Sequence, residues 1–274
     1  MGAYLELRRQ HSKKSQVGIK ITILGTGTSQ GIPTIGCDCS VCLSDDPRDK
    51  RLRVAVHIQA KGKNIIIDVG PDFRQQMLRA NIREIDAILL THEHNDHIIG
   101  LDDIRPFIFR MERAMPIYSS ARVAKELKVR FAYAFDPNPY PGAPSFELIN
   151  TDERSHFTID NLRVDIIHYL HGKLPVQGYR VGNFAYLTDI KTLPEASLEQ
   201  LFGLEVLIIS ALHQNPHHSH ANLQEALDII ESIQPIKAYL THLSHQMGKH
   251  KEVEALLPPN VSIAYDGLEL SIPD

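Results

Sequence analysis

The residues best suited to chemistry stand in one run, Thr91-His92-Glu93-His94-Asn95-Asp96-His97. The pattern H-x-H-x-D-H sets four metal-ligand types side by side, directly behind the apolar stretch Ile85 to Leu90. That stretch reads as a buried strand. Where the chain is extended, alternate side chains share a face, so His92 and His94 can grip one ion together. As the chain turns, Asp96 and His97 point elsewhere and can hold a second ion close by. The alternative is a polar turn that is rich in histidine by chance. Four ligand types at this spacing, behind a buried strand, weigh against it.

Two compositional features point the same way. The three cysteines, Cys37, Cys39 and Cys42, are an odd and crowded set. Such a set makes a poor disulfide framework and a good start on a metal site. The fifteen histidines gather mostly near 92–97, 168–171, 213–220 and 242–250. Neutral imidazole is the commonest metal ligand, so this clustering is the main functional clue in the composition.

On these motifs the chain resembles the metallo-β-lactamase fold hydrolases, over residues 20–272. The resemblance implies a role for each matching residue. Asp68, in Ile65-Ile66-Ile67-Asp68-Val69-Gly70, matches the carboxylate that orients the metal loop from behind the ligands. His171, in His168-Tyr169-Leu170-His171-Gly172, matches the third histidine of the first ion. Asp189, closing Tyr186-Leu187-Thr188-Asp189, matches the carboxylate that bridges two ions. His242, closing Tyr239-Leu240-Thr241-His242, matches the last ligand. His92, His94 and His171 would then hold the first ion, and Asp96, His97 and His242 the second.

Within that family the cysteines select a branch. Cys37, Cys39 and Cys42 with His245 make a Cys3His set, a standard closed tetrahedral zinc site. This combination resembles the phosphodiesterases of phosphonate breakdown that open a cyclic ribose phosphate and carry a dinuclear centre plus a structural zinc. The resemblance implies two divalent ions at the active site, zinc or manganese, and a small phosphodiester substrate. His220, in His220-Ala221-Asn222-Leu223, resembles the general acid of that branch. The catalytic assignments are thus Asp96, itself a metal ligand, and His220. A helix-flanking histidine with no catalytic part is the plain alternative for His220, and three buried or reactive thiols that for the cysteines.

Three rival readings share the fold. A glyoxalase-type thioesterase uses nearly the same ligands but has no reason to carry the cysteine site. A tRNA 3′-end endonuclease would need a long basic insertion that this chain lacks. A cofactor-biosynthesis protein, such as quinone-cofactor protein B, has a similar cysteine site but an eroded catalytic centre, whereas the motif here is intact.

The ligands must be positioned by the elements around them. Expected strands are 20–24, 53–59, 64–69 and 85–91, with helices at 72–80, 98–109 (kinked at Pro106) and 123–130. Four prolines mark 131–146 as a loop or lid. Strands follow at 146–150, 157–159, 162–167, 176–181 and 184–187. A helix at 194–202, a strand at 205–210, a helix at 223–233, a strand at 237–241, a helix near 249–257 and two closing strands finish the chain. Hairpins followed by β–α alternation, twice over, predict an α/β fold of the αββα type, two mixed sheets face to face with helices outside.

The whole is read as one domain, 19–274, behind a flexible basic arm, 1–18. Hydrophobic content of 43% and charged content of 23% are those of a globular chain, which excludes a disordered or fibrous one. A net charge of −4 gives no global pull toward polyanions, so nucleic acid is not the expected partner. No apolar run is long enough to span a bilayer and no secretory leader is recognisable, so a cytoplasmic chain, acting as a monomer or homodimer, is expected. Arg105 and Tyr140 are open as substrate contacts. His168 is read as solvated or as supporting the ligands from behind, His213, His217 and His218 as solvated in preference to binding phosphate, and Gly25-Thr26-Gly27 with Gly31 as a tight turn.

Overall fold

The apolar runs in the sequence come in two kinds, and each builds one part of the architecture. Ile65-Ile66-Ile67, Ala87-Ile88-Leu89 and Val206-Leu207-Ile208-Ile209 are apolar on both faces and buried throughout, as parallel strands covered on both sides must be. Leu162 to Ile166 alternates between buried and exposed or half-buried residues, as a strand with one covered face does. A computed structural model describes residues 17–273, and in it both kinds pack into two seven-stranded sheets.

The first sheet has the order β14-β1-β2-β3-β4-β5-β6. Its strands are β1 (Val17–Gly25), β2 (Ala55–Ala60), β3 (Lys63–Ile67), β4 (Ala87–Leu89), β5 (Met115–Ser119), β6 (Phe146–Asn150) and β14 (Glu269–Pro273). The second has the order β13-β12-β11-β10-β9-β8-β7. Its strands are β7 (His156–Ile159), β8 (Leu162–His171), β9 (Leu174–Val181), β10 (Phe184–Leu187), β11 (Val206–Ser210), β12 (Lys237–Thr241) and β13 (Val261–Ile263). Each sheet is antiparallel along one half and parallel along the other: β3 through β6 and β10 through β13 are the parallel runs.

The period of two decides which layer each side chain enters. Ile65, Ile67, Ala87 and Leu89 meet Val164, Ile166, Tyr179, Tyr186 and Ile208 between the sheets. Ile66 and Ile88 turn outward under the helices α1 (Phe73–Ala80), α3 (Arg105–Met111) and α4 (Ala121–Arg130). The far face of the second sheet is covered by α5 (Glu195–Glu199), α6 (Leu223–Ile233) and α7 (His250–Glu254). α6 starts on a reciprocal cap between Asn222 and Glu225, which satisfies two amide donors that a helix start leaves free. The expected αββα architecture is the one observed. Among the described residues no helix is long and apolar enough to cross a membrane.

Several element expectations need correction. The strand expected from Lys20 starts at Val17, so the last two residues of the expected arm belong to the sheet; residues 1–16 lie outside the described residues. The helix expected over 98–109 is three pieces: α2 (Asn95–Ile98), a 3-10 turn at Ile99–Ile104, and α3 with Pro106 in its first turn. A proline costs nothing there because its missing N–H has no partner to lose. β5 was not anticipated, since its apolar signal is short and Pro116 interrupts it. The strands expected at 162–167 and 176–181 run on to His171 and back to Leu174. They close through Gly172-Lys173, with Gly172 at φ +61°, a conformation glycine adopts without strain.

Candidate metal centre

Both parallel runs and β8 end at the same edge of the sandwich, and the candidate ligands sit at those ends. Asp68 follows β3, the 92–97 run follows β4, His171 closes β8, Asp189 follows β10 and His242 follows β12. Ligand sites in open α/β sheets form outside the carboxyl ends of strands. Asp68, Asp189 and His242 leave their strands at φ of +63°, +56° and +57°. Such left-handed backbone costs of order 1–3 kcal/mol at each residue, and here it aims three side chains into one space. The turn after Asp68 is pressed against the metal-motif loop: a Cβ on Gly70 would lie 2.1 Å from the carbonyl oxygen of Asp96. Only glycine fits there.

The seven residues of the expected dinuclear centre all converge. His97 Nε2 lies 3.3 Å from Asp96 Oδ2 and 3.3 Å from Asp189 Oδ2. His242 Nε2 lies 3.2 Å from Asp189 Oδ1 and 3.7 Å from Asp96 Oδ2. His92 Nε2 and His94 Nδ1 are 3.0 Å apart, and the His94 and His171 ring centroids 5.3 Å. Ligand atoms within 4.8 Å of one another form three overlapping groups: His92, His97 and Asp189; Asp96, His97 and His242; His171, Asp189 and His220. These groups do not follow the expected division, because His97 and Asp189 each serve twice and His94 falls in none.

The donor set fits metal ions. His97 Nε2, His220 Nδ1 and both His242 nitrogens are buried and make no hydrogen bond, although carboxylate oxygens stand beside them. Buried nitrogens without a hydrogen bond, standing beside carboxylate oxygens, are donors that an ion would satisfy. At metal–nitrogen distances near 2.0–2.1 Å, tetrahedral neighbours sit about 3.4 Å apart, the spacing found here.

For two of these histidines a hydrogen bond from behind fixes which nitrogen faces the centre. Asp68 is wholly buried. It accepts from the amide of Thr91 at 2.9 Å and from the Thr91 hydroxyl, and its Oδ2 meets His97 Nδ1 at 2.7 Å. The proton of His97 is thus held on Nδ1, which frees Nε2 for an ion. His171 Nδ1 donates to the carbonyl of Ser219 at 2.6 Å. A carbonyl only accepts, so Nε2 of His171 is likewise the free nitrogen. Ser219 carries no signal of this role in the sequence.

The electrostatics describe a site short of cations. Burial opposes ionisation of Asp96 and Asp189, yet His97 and His242 beside them hold both carboxyls well below the usual range. Burial pushes His97 down, but Asp96, Asp189 and Asp68 together carry it well above an ordinary histidine. Without a metal ion, a proton on His97 supplies the positive charge these carboxylates demand.

His220 stands at the rim. Its Nδ1 is 3.6 Å from Asp189 Oδ1 and its ring centroid 4.2 Å from that of His171. Burial, then repulsion from His242, pulls its pKa down to about 2. His217 Nδ1 accepts from the amides of Ser219 and His220 at 3.3 Å each and so shapes the loop that presents both. His213, expected in solvent, is buried at 8% exposure: it closes β11's loop, where its backbone carbonyl accepts from the amide of Leu223. His168 and His218 are exposed as expected. Arg105 is tied to Asp102, which also accepts from Tyr133, and Tyr140 stacks on Tyr133 with centroids 6.1 Å apart.

The cysteine set is assembled separately. His245 Nδ1 lies 3.2 Å from Cys37 Sγ, 3.4 Å from Cys39 Sγ and 3.5 Å from Cys42 Sγ. The edge between sulfur and nitrogen in a zinc tetrahedron is about 3.6 Å. The amide of Cys42 draws the Cys39 thiol down to about 6 against burial, and burial pushes Cys42 up. His245 is three residues past His242, and the Gly25–Gly31 segment locks the stretch between them: Leu243 exchanges backbone hydrogen bonds with Thr26 and Thr28. It can do so because Gly25 to Gly27, expected as a tight turn, runs extended and the chain turns only at Ser29-Gln30.

These sheets, this edge of histidines and carboxylates and the H-x-H-x-D-H loop define the metallo-β-lactamase fold. A family model for the β-lactamase superfamily domain matches residues 63–243, and the chain belongs to that superfamily. Among solved structures, a protein described as a new diphosphatase from the PhnP family is 40% identical, with a TM-score of 0.87, covering 93% of this chain and 97% of that one. A protein named octanoyltransferase from Porphyromonas gingivalis is 41% identical over 256 residues, 93% of this chain and 52% of that protein. This chain spans about half the length of that relative, and the name describes the longer protein. A ribonuclease Z of Bradyrhizobium diazoefficiens is 44% identical over 57 residues, 20% of this chain and 19% of that protein.

Proposed function

We propose that this chain is a phosphodiesterase that hydrolyses a small or cyclic phosphodiester with water activated between two divalent ions. The observation that carries the reading is the placement of Asp189. It shares ligand-sized groups with His92 and His171 of one set and with His97 of the other, and its Oδ1 lies 3.2 Å from His242, as befits a carboxylate shared by two ions. In this reading His92, His94 and His171 hold one ion, and Asp96, His97 and His242 the other. Zinc and manganese both suit a mixed imidazole and carboxylate set. Two ions so held would lower the pKa of a shared water toward neutrality and draw charge from the phosphoryl oxygens.

The chain's own residues do the rest. Asp68 and Ser219 orient His97 and His171. His220 stands where the leaving alcohol departs and gives it a proton. Burial and then His242 pull its pKa down in the chain alone, so this role requires the bound phosphodiester anion to raise it. The likeness to a diphosphatase supports phosphoryl transfer over thioester cleavage. The test is to screen protein loaded with zinc or manganese against alkyl and cyclic phosphodiesters and against thioesters. Hydrolysis of the phosphodiesters with thioesters left intact is expected; the opposite pattern overturns the reading.

We also propose that Cys37, Cys39, Cys42 and His245 hold a structural zinc, giving about three ions per chain. That zinc joins two distant segments as a cross-link would, and such links are worth about 2–4 kcal/mol. Cys39→Ser is expected to lose one ion and to melt roughly 5–15 °C lower, at about 2–4 °C per kcal/mol, with the other ions and part of the activity kept. A variant with full metal content and unchanged melting, but no activity, would make Cys39 catalytic instead.

A further inference from the structure

Glu93 and Asn95, the two motif positions that hold no ligand, are each gripped by an arginine, and both arginines belong to α4. Arg122, in its first turn, donates from Nη1 to Glu93 Oε1 at 2.5 Å. Arg130, its last residue, donates to Asn95 Oδ1 and also pairs with Glu126 at 3.4 Å. Eight residues of helix separate the two by about 12 Å, so one rigid rod supports the loop at both ends.

Arg122 does a second thing. Its Nη2 donates to the carbonyl of Pro175. Pro175 lies in β9 opposite Leu170, the neighbour of His171. One guanidinium therefore joins the residue between His92 and His94, which hang from the first sheet, to the hairpin that carries His171, in the second. A planar fork can serve two acceptors in fixed directions, as a lysine cannot. Glu93 is 15% exposed in its side chain, and its Oε2 is buried without a hydrogen bond. Removing the arginine would strand that carboxylate, and a buried charge left uncompensated strongly destabilises the arrangement that holds it.

We infer that Arg122, acting through Glu93, is a positioning residue that sets the spacing of His92 and His94 against His171, and so the affinity of the ion those three share. The inference rests on the two-ion reading above. Other ties between the sheets lie before the loop: Tyr179 donates to the Leu90 carbonyl at 2.7 Å, and the Gln177 amide to the Thr91 carbonyl at 3.2 Å. The fold therefore has anchors of its own, and the arginine acts on the loop.

Competition with a chelator on the full chain tests this for wild type, Arg122→Gln, Arg122→Lys, Glu93→Gln and the double variant Glu93→Gln/Arg122→Gln. Loss of a group that orients metal ligands costs about 10–100-fold in affinity. Arg122→Gln should weaken one histidine-held ion by that factor while the other and the cysteine-held ion are retained. Lysine should recover part of the loss. The double variant should be no worse than the worse single one, because coupled residues are not additive. Unchanged affinities in Arg122→Gln overturn the inference. So does an equal weakening of all ions together with a matching fall in melting temperature, the mark of a purely structural role. A wild-type chain with one ion among its histidines overturns the two-ion reading instead, and the Arg122 series is then judged by the same criterion on that ion.

Discussion

Asp189→Asn is expected to lower turnover at pH 7 by at least about 10³-fold and to release one ion of the histidine centre. Asparagine is the informative replacement because it tolerates the left-handed backbone found at this position, φ +56°, with little strain. The fold therefore survives, and what is lost is the charge that two histidine-rich halves share. In the chain as it stands, Asp189 lies 3.3 Å from His97 and 3.2 Å from His242, so a neutral amide removes one of the two carboxylates that face both, leaving Asp96 alone in that place. Water bound to a metal ion has its pKa lowered from 15.7 toward about 7, and each unit of that lowering lost with an ion would remove about tenfold of the hydroxide at neutral pH. A rise of only three units accounts for the expected factor. Elemental analysis beside kcat checks it: the cysteine-held ion should remain. Activity within tenfold of wild type, at full metal content, would show that Asp189 does not bridge.

The second large effect concerns His220 and depends on the leaving group. An alkyl or sugar alkoxide is a strong base and leaves poorly without a proton, so His220→Ala should cost on the order of 10²–10⁴-fold on an alkyl or cyclic phosphodiester. A nitrophenolate leaves almost unaided, and the same variant should lose far less on a nitrophenyl ester. On the alkyl substrate the wild-type rate should fall at alkaline pH as the histidine loses its proton, and the variant should lack that limb. Metal content should be unchanged. His220 also stands in one ligand-sized group with His171 and Asp189, which makes the metal analysis decisive. An ion lost with the ring would mark His220 as a ligand, and equal losses on both substrates would mark it as a group that binds phosphate.

The identities of the residues at the centre were legible because most of them end a strand and the rest stand in the one motif loop behind β4. Asp68, His92 and Asp189 follow runs of buried residues, and His171 and His242 end or follow strands with one buried face; a polar side chain at such a point has to be paired or to hold something. The two-layer fold was legible for a related reason: the periods of two and of 3.6 appear in the sequence wherever one face is buried. The Cys3His set could be paired only by likeness, since Cys37 and His245 are 208 residues apart, and no local rule joins them.

What the sequence by itself determined, then, is which side chains are available and at which strand ends they stand. Tertiary structure alone decided how they are used. Left-handed backbone at Asp68, Asp189 and His242, which the sequence does not announce, turns three strand ends into one centre. Contacts across the chain choose the nitrogen each histidine offers, through Asp68 for His97 and the Ser219 carbonyl for His171. The burial of His213, the split of the helix expected over 98–109 and the grip of Arg122 on Glu93 belong with these. Each depends on a partner that comes close only when the two sheets pack, and hydrophobic periodicity records which face a residue takes, never whom it meets there.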